Sequence, residues 1–143
     1  MKLVIQRVTK ATVTTNNQVV GSIGKGLFIL LGVGQEDTVE DTASLAEKIA
    51  NMRLMSDSKD KMNLSVKESG GEILVVSQFT LYADTSGGRR PSFVKAAPND
   101  LAREVYEKFV EALRAQNLKV ETGSFGSYME INAELDGPVT IVQ

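Results

Sequence analysis

Ser77, Gln78 and Thr80 are three hydrogen-bonding side chains without charge, packed into four positions and interleaved with Phe79, Leu81 and Tyr82. They follow Ile73–Val76, a continuous apolar run of the kind that marks a strand buried on both faces. Polar groups at the end of such a strand must be satisfied by neighbouring loops or by a ligand, and the residues alone leave both open. The hydroxyls of Ser77 and Thr80 are candidate nucleophiles, but a hydroxyl needs a base to take its proton. The chain has no histidine and no cysteine. No Ser-His-Asp triad, Cys-His pair or histidine-ligated metal centre can be built from it, and disulfide and thiolate chemistry are excluded. Hydrolysis near neutral pH therefore needs a tuned carboxylate or lysine, or a reacting group brought by the substrate. No metal and no cofactor is expected.

The sharpest concentration of positive charge is Arg89, Arg90 and Lys95, within the glycine- and proline-rich stretch Ala83–Pro98. Arginine forks suit phosphates and glycines permit close approach to a backbone, although a solvated basic loop has the same composition. The formal net charge of −2 argues against a broad nucleic-acid coat, so any RNA contact must be a local patch. Arg7 alternates in register with Leu3, Ile5, Ala11 and Val13, which puts a guanidinium on an apolar face. Either it holds a backbone or a ligand, or a β-bulge swings it outward. Gly21, Gly24, Gly26, Gly32 and Gly34 match neither a phosphate loop nor a dinucleotide fingerprint and are read as turn glycines.

The elements that must position these residues are set by periodicity. Strands are expected over Leu3–Val13, Val19–Ile23 and Leu27–Val33. A helix comes next, N-capped by Asp37 and running to Leu54, with Val39, Ala43, Ala46, Ile49 and Ala50 as its apolar stripe. Ser56–Gly71 reads as a loop with a short excursion at Met62–Val66. After the central strand a second helix starts near Pro98 or Asn99, with Leu101, Val105, Phe109 and Ala112 on one face. Strands then cover Leu118–Glu121, Tyr128–Leu135 and Val139–Val142, with Asp136-Gly137 giving a hairpin signal that Pro138 complicates. The resulting order is β-β-β-α-β-α-β-β-β, an α/β domain whose helices cover a sheet that also packs on a second sheet layer. At 143 residues the chain has room for one domain, residues 1–143, with one core. It contains no membrane-length apolar run and no secretory signal, so a cytoplasmic home is expected.

Ser77-Gln78-Phe79-Thr80, with Asp136-Gly137-Pro138-Val139-Thr140 much later, resembles the motif pair of the D-aminoacyl-tRNA deacylases. Met62-Asn63-Leu64-Ser65-Val66, Gly88-Arg89-Arg90-Pro91-Ser92-Phe93 and Thr122-Gly123-Ser124-Phe125-Gly126 are similar to the same family, and the match is collinear to the C-terminus. The resemblance implies a three-layer α/β/β fold and an obligate homodimer with its active site at the interface. It implies hydrolysis of the ester joining a D-amino acid to the terminal ribose of tRNA, with Ser77, Gln78, Phe79 and Thr80 as one wall of the pocket. Gly137 and Pro138, in a cis Gly-Pro unit entering from the partner subunit, form the other wall and reject L-aminoacyl groups sterically, which leaves glycine as a substrate. Phe125 and Met129 match further pocket positions, Arg7 is assigned to substrate binding, and Arg89, Arg90 and Lys95 to tRNA. Leu135 stands where the family more often has asparagine, and Tyr128 is bulkier than expected. Two mechanisms stay open: Thr80 as nucleophile, or the 2′-hydroxyl of the tRNA activating water beside backbone donors near Phe79 and Thr80. A non-catalytic tRNA-binding module, and a small-molecule esterase or amidase using Thr80 or Ser77, are the alternative functions.

Overall fold

The computed structural model describes residues 1–143. The elements are β1 (Lys2–Thr15), β2 (Gln18–Ile23), β3 (Gly26–Gly32), α1 (Asp41–Asn51), β4 (Met55–Ser56), β5 (Met62–Leu64), β6 (Glu72–Ser77), a 3-10 turn (Phe79–Tyr82), α2 (Asn99–Arg114), β7 (Val120–Thr122) and β8 (Glu130–Val142). The main sheet runs β2-β1-β3-β6-β7, with β8 also pairing β1, while β4 and β5 form a separate two-stranded ribbon. β1 pairs antiparallel with β2, β3 and β8; β3–β6 and β6–β7 are parallel. The outermost strands come back together. Adding a methyl to Gly21 of β2 would place it 2.4 Å from the Thr122 carbonyl oxygen of β7, so the sheet nearly closes on itself.

Strand alternation sorts the interior into two clusters. Leu27, Ile29 and Leu31 of β3 and Ile73 and Val75 of β6 point to the helices, where they meet Ala46 and Ile49 of α1 and Phe109, Val110 and Leu113 of α2. Phe28, Leu74 and Val76 point the other way and meet Val8, Ala11, Val13 and Ile23. Both faces of β6 are therefore buried, as its unbroken apolar run requires. Each such side chain removed from water contributes about 1.5–3 kcal/mol, which makes β6 a fixed base for the segment Gln78–Tyr82. No helix is long and apolar enough to cross a membrane.

Several boundaries differ from those expected. The helix begins at Asp41, not Asp37, because the Asp37 carboxylate is engaged elsewhere. Thr38 takes over the local turn, its hydroxyl donating to Asp41 Oδ2 at 3.0 Å. The buried stripe of α1 is Thr42, Ala46, Ile49 and Ala50; Ala43 faces outward and Val39 precedes the helix. Within the expected excursion at Met62–Val66, Met62–Leu64 forms β5, which pairs with β4 in a ribbon. The hairpin that Asp136-Gly137 signals, against Pro138, does not form. β8 is one strand lying along β1, from Thr14↔Glu130 to Val4↔Val142. Between Val8↔Leu135 and Gln6↔Thr140 the pairing skips, so Asp136–Val139 bulge out of a continuous ladder. A turn dipeptide yields here because β1 is long enough to pair both halves. The expected order β-β-β-α-β-α-β-β-β thus gains the β4–β5 ribbon and loses the break between its last two strands.

Candidate active site

Gln78 marks the end of the buried strand. Its N–H donates to the Leu31 carbonyl at 2.8 Å, extending the parallel β3–β6 pairing one step beyond Ser77. The chain then tightens into the 3-10 turn, where Leu81 N–H bonds back to Gln78 O at 3.3 Å and Ala83 N–H to Thr80 O at 3.0 Å. As first residues of that turn, Phe79 and Thr80 have N–H groups without carbonyl partners inside it. Two free backbone donors on a rigid base are what a developing oxyanion needs.

Beside the turn lies a groove of about 450 Å³. Its floor and walls include Ser77, Gln78, Phe79, Phe125 and Met129, five residues singled out from sequence, with Ala96, Ala97, Asn99, Ala102 and Ile131. None of the lining residues carries a charge. Thr80 is exposed and stands just outside the groove. Its hydroxyl meets the Gln78 side-chain amide, a group that is not a base in either orientation.

The aromatic and sulfur walls are fixed by packing. Phe93 meets Phe79 edge-on with centroids 5.1 Å apart. Phe125 lies 5.6 Å from the Tyr106 ring, whose hydroxyl donates to Val75 O at 2.9 Å, and the Arg103 guanidinium stacks 4.5 Å from the Phe125 centroid. Met129 is seated by Ser124 N–H, 3.3 Å from its sulfur, and by Gly123, where a methyl would come within 2.7 Å of that sulfur. Sequence reasoning missed Ala96, Ala97, Ala102 and Arg103, since small residues and one helix-surface arginine give no signal until α2 is docked. Phe93 belongs to the Gly88–Phe93 motif, but its contact with Phe79 is purely tertiary.

The remaining site residues do not border the groove and lie in two separate places. Arg7 is buried on the Leu3–Ile5 face, and the β-bulge falls after it, between Val8 and Lys10, which carries Ala11 and Val13 to the opposite cluster. The expected shared face of Arg7 with Ala11 and Val13 is therefore broken, and the bulge does not turn Arg7 outward. Its Nη1 donates to Leu54 O at 3.0 Å and lies 3.4 Å from Ser56 Oγ. Its Nε is 2.9 Å from Asp136 Oδ2 without hydrogen-bond alignment, a charge contact rather than a directed bond. Arg7 so ties the bulge of β8 to the β4 segment. Gly137 has φ 122°, a backbone region open to glycine, and its bond to Pro138 is cis. Neither Gly137 nor Pro138 borders the groove. Arg89 and Arg90 are exposed on a loop pinned by the Asp84–Ser92 bridge, and exposed Lys95 lies at its exit beside Gly34, Asp37 and Tyr82. No three carboxylates converge as a possible metal-ligand set.

A buried strand ending in uncharged hydrogen-bonding groups, the turn that follows it and an aromatic-walled groove make up the candidate site. Comparison with known proteins gives the family. The family model described as D-Tyr-tRNA(Tyr) deacylase matches residues 4–143. The D-aminoacyl-tRNA deacylase of Geobacillus sp. is 54% identical over 142 residues, covering 99% of this chain and 93% of that protein. That of Clostridium perfringens is 48% identical, covering 99% and 95%. A solved structure titled c-Myc DNA Unwinding Element Binding Protein superposes with a TM-score of 0.92 at 40% identity, covering 100% of this chain and 97% of that one. A probable eukaryotic D-amino acid tRNA deacylase shares the fold, with a TM-score of 0.87 at 17% identity over 99% of this chain and 97% of that one. The chain belongs to the D-Tyr-tRNA(Tyr) deacylase family.

Proposed function

We propose that this protein hydrolyses the ester between a D-amino acid and the terminal ribose of tRNA, a proofreading activity exercised in the cytoplasm by one domain spanning residues 1–143. The observation that carries the reading is the uncharged groove, with the Thr80 hydroxyl against the Gln78 side-chain amide. A nucleophilic Thr80 lacks a base, whereas a substrate bringing its own 2′-hydroxyl needs only positioning and an oxyanion partner. In this mechanism the N–H groups of Phe79 and Thr80 hold the carbonyl oxygen as water attacks. The proton passes to the ribose leaving oxygen and the D-amino acid departs. Ser77 and Gln78 fix the ester, Phe125 and Met129 hold the terminal nucleoside, Arg7 supports the substrate through the Asp136–Val139 bulge, and Arg89, Arg90 and Lys95 meet tRNA phosphates.

Two copies complete the site. β8 presents Ile131 at 37%, Leu135 at 49% and Val142 at 77% exposure, an apolar strand face without a cover. A three-layer α/β/β protomer pairing through this face as a homodimer buries it. It also brings Gly137-Pro138 of one subunit to the groove of the other. Backbone and a ring of fixed φ then occupy the space an L side chain would need, so D-aminoacyl groups pass. Glycine, having no side chain to exclude, also passes.

Incubating the pure protein with D- and L-aminoacyl-tRNA, glycyl-tRNA and free D-aminoacyl esters tests the whole reading. Release of D-amino acid and glycine from tRNA, with the L substrate spared, is expected. Binding of tRNA without release would leave only a binding module, and cleavage of free esters alone would make it a small-molecule esterase.

A further inference from the structure

We infer that Tyr82, Asp37 and the glycine pair Gly32 and Gly34 are positioning residues that set both walls of the groove from behind; this rests on the deacylase function proposed above. None of the four lines the groove. Tyr82 is the last residue of the 3-10 turn that carries Phe79 and Thr80. Its ring occupies the space two side chains would fill. A methyl on Gly34 would lie 2.7 Å from Cε1, Cζ and the hydroxyl oxygen of Tyr82. A methyl on Gly32 would lie 3.0 Å from Gln78 O, 3.1 Å from Leu81 Cβ and 3.3 Å from Tyr82 Cδ2. Neither glycine has positive φ, so the requirement is room, not conformation. These glycines are a seat for the turn rather than the turn residues their spacing suggests.

The seat is locked by one carboxylate. Tyr82 donates its hydroxyl to Asp37 Oδ2 at 3.0 Å, and Gly34 N–H donates to the same oxygen at 2.7 Å. The other oxygen accepts from the Met1 amine. Lys2 grips the turn from outside, with Nζ 4.7 Å from the Tyr82 centroid and donating to Leu81 O at 3.1 Å. The same short segment also holds the opposite wall. Gly34 bridges to Ala96, Ala97 N–H donates to Val33 O at 2.9 Å, and Gln35 N–H donates to Lys95 O at 3.3 Å. Ala96 and Ala97 line the groove. The end of β3 is thus the common anchor of the turn and of the facing wall, and Asp37 fixes it relative to Tyr82.

The test uses the full-length protein with Y82F, G34A, D37N and D37A, read by kcat and KM on D-aminoacyl-tRNA and by amide hydrogen exchange. Y82F removes only the hydroxyl. It should lower kcat about tenfold, the scale of one hydrogen bond to a charged acceptor, with KM little changed. Exchange should accelerate in both 78–83 and 93–97. D37N keeps an oxygen able to accept from both donors and should retain most turnover, whereas D37A should fall with Y82F. G34A should be at least as damaging, but add nothing once Y82A has removed the ring. The inference is overturned if Y82F keeps wild-type kcat and exchange, or lowers only the unfolding midpoint while kcat measured well below it is unchanged. A wild-type protein that cleaves no aminoacyl-tRNA would sink the deacylase function instead, and the exchange measurements would still decide the anchor.

Discussion

Thr80 is the residue at which two chemistries part. A covalent nucleophile removed by mutation typically costs several orders of magnitude in turnover. Because the hydroxyl faces the Gln78 amide and no base, Thr80→Ala should cost far less, about tenfold or under, with no acyl-enzyme trapped on rapid quench. A captured acyl-Thr80 would return the hydroxyl to the centre of the mechanism. Arg7 is the other decisive single residue, and its effect should appear in stability. Deleting it leaves Leu54 O and Asp136 without their partner, and Asp136 is only partly exposed. Arg7→Ala should lower unfolding free energy by about 1–3 kcal/mol in urea titration. Arg7→Lys should recover only part, since an ammonium cannot reach both the carbonyl and the carboxylate as the guanidinium does.

At the scale of elements, the loop between the 3-10 turn and α2 should carry the salt dependence. Replacing Arg89 and Arg90 with alanine should weaken tRNA binding and flatten the log–log salt slope by roughly one unit or less for each phosphate no longer neutralised. Unchanged affinity and slope in the folded double variant would reduce the loop to a solvated one. The seat of the turn makes a prediction in pH. Burial, and then the neighbouring Asp37 carboxylate, push the Tyr82 hydroxyl up to about 12, above the ordinary value near 10. A raised folded pKa stabilises fully below the unfolded value, and that stability is lost as pH rises through the folded one. Unfolding midpoints should therefore fall between about pH 10 and 12, and Y82F should make that fall shallower. Tyr106, raised chiefly by burial, keeps a share of it. Asp37 acts with the opposite sign: burial opposes its charge, but bonds from the N-terminal amine, Gly34 and Tyr82 outweigh it, so its contribution fades in acid.

These elements also show how much could be read in advance. The buried strand β6 was legible because four consecutive apolar residues suit a sheet with two covered faces. The second helix was legible from its stripe, and its core residues Val105 and Phe109 are buried as expected. Asp37, Gly32 and Gly34 were misread because their local signals, a cap and two turns, were overridden by partners far along the chain, Tyr82 above all. Asp136-Gly137 failed similarly, since a hairpin dipeptide cannot reveal that β1 opposes both of its flanks. Part of the groove was visible as motif; its alanines and the Phe79–Phe93 contact exist only after folding.

At the scale of the whole molecule, the uncovered apolar face of β8 is the prediction. Leu135→Glu with Val142→Glu places charge where the proposed pairing needs contact and leaves the groove lining untouched; monomers by sedimentation and lost turnover are expected together. A protein that sediments as a monomer before mutation, with full activity, would refute the shared site. The same strand bears both this face and the Asp136–Val139 bulge, and none of the bulge residues lines the groove, which β8 meets only through Ile131. Damage to groove and damage to bulge should then behave genetically as separable lesions of one chain. In the proposed homodimer, subunits altered at Gln78 and subunits altered at Pro138 should each be inert as pure pairs. About half of the randomly re-formed pairs combine the two kinds, and in each of these one site inherits an intact groove and an intact bulge. Mixing two dead preparations should thus revive about a quarter of the wild-type sites, a complementation that no enzyme with a self-contained site can show.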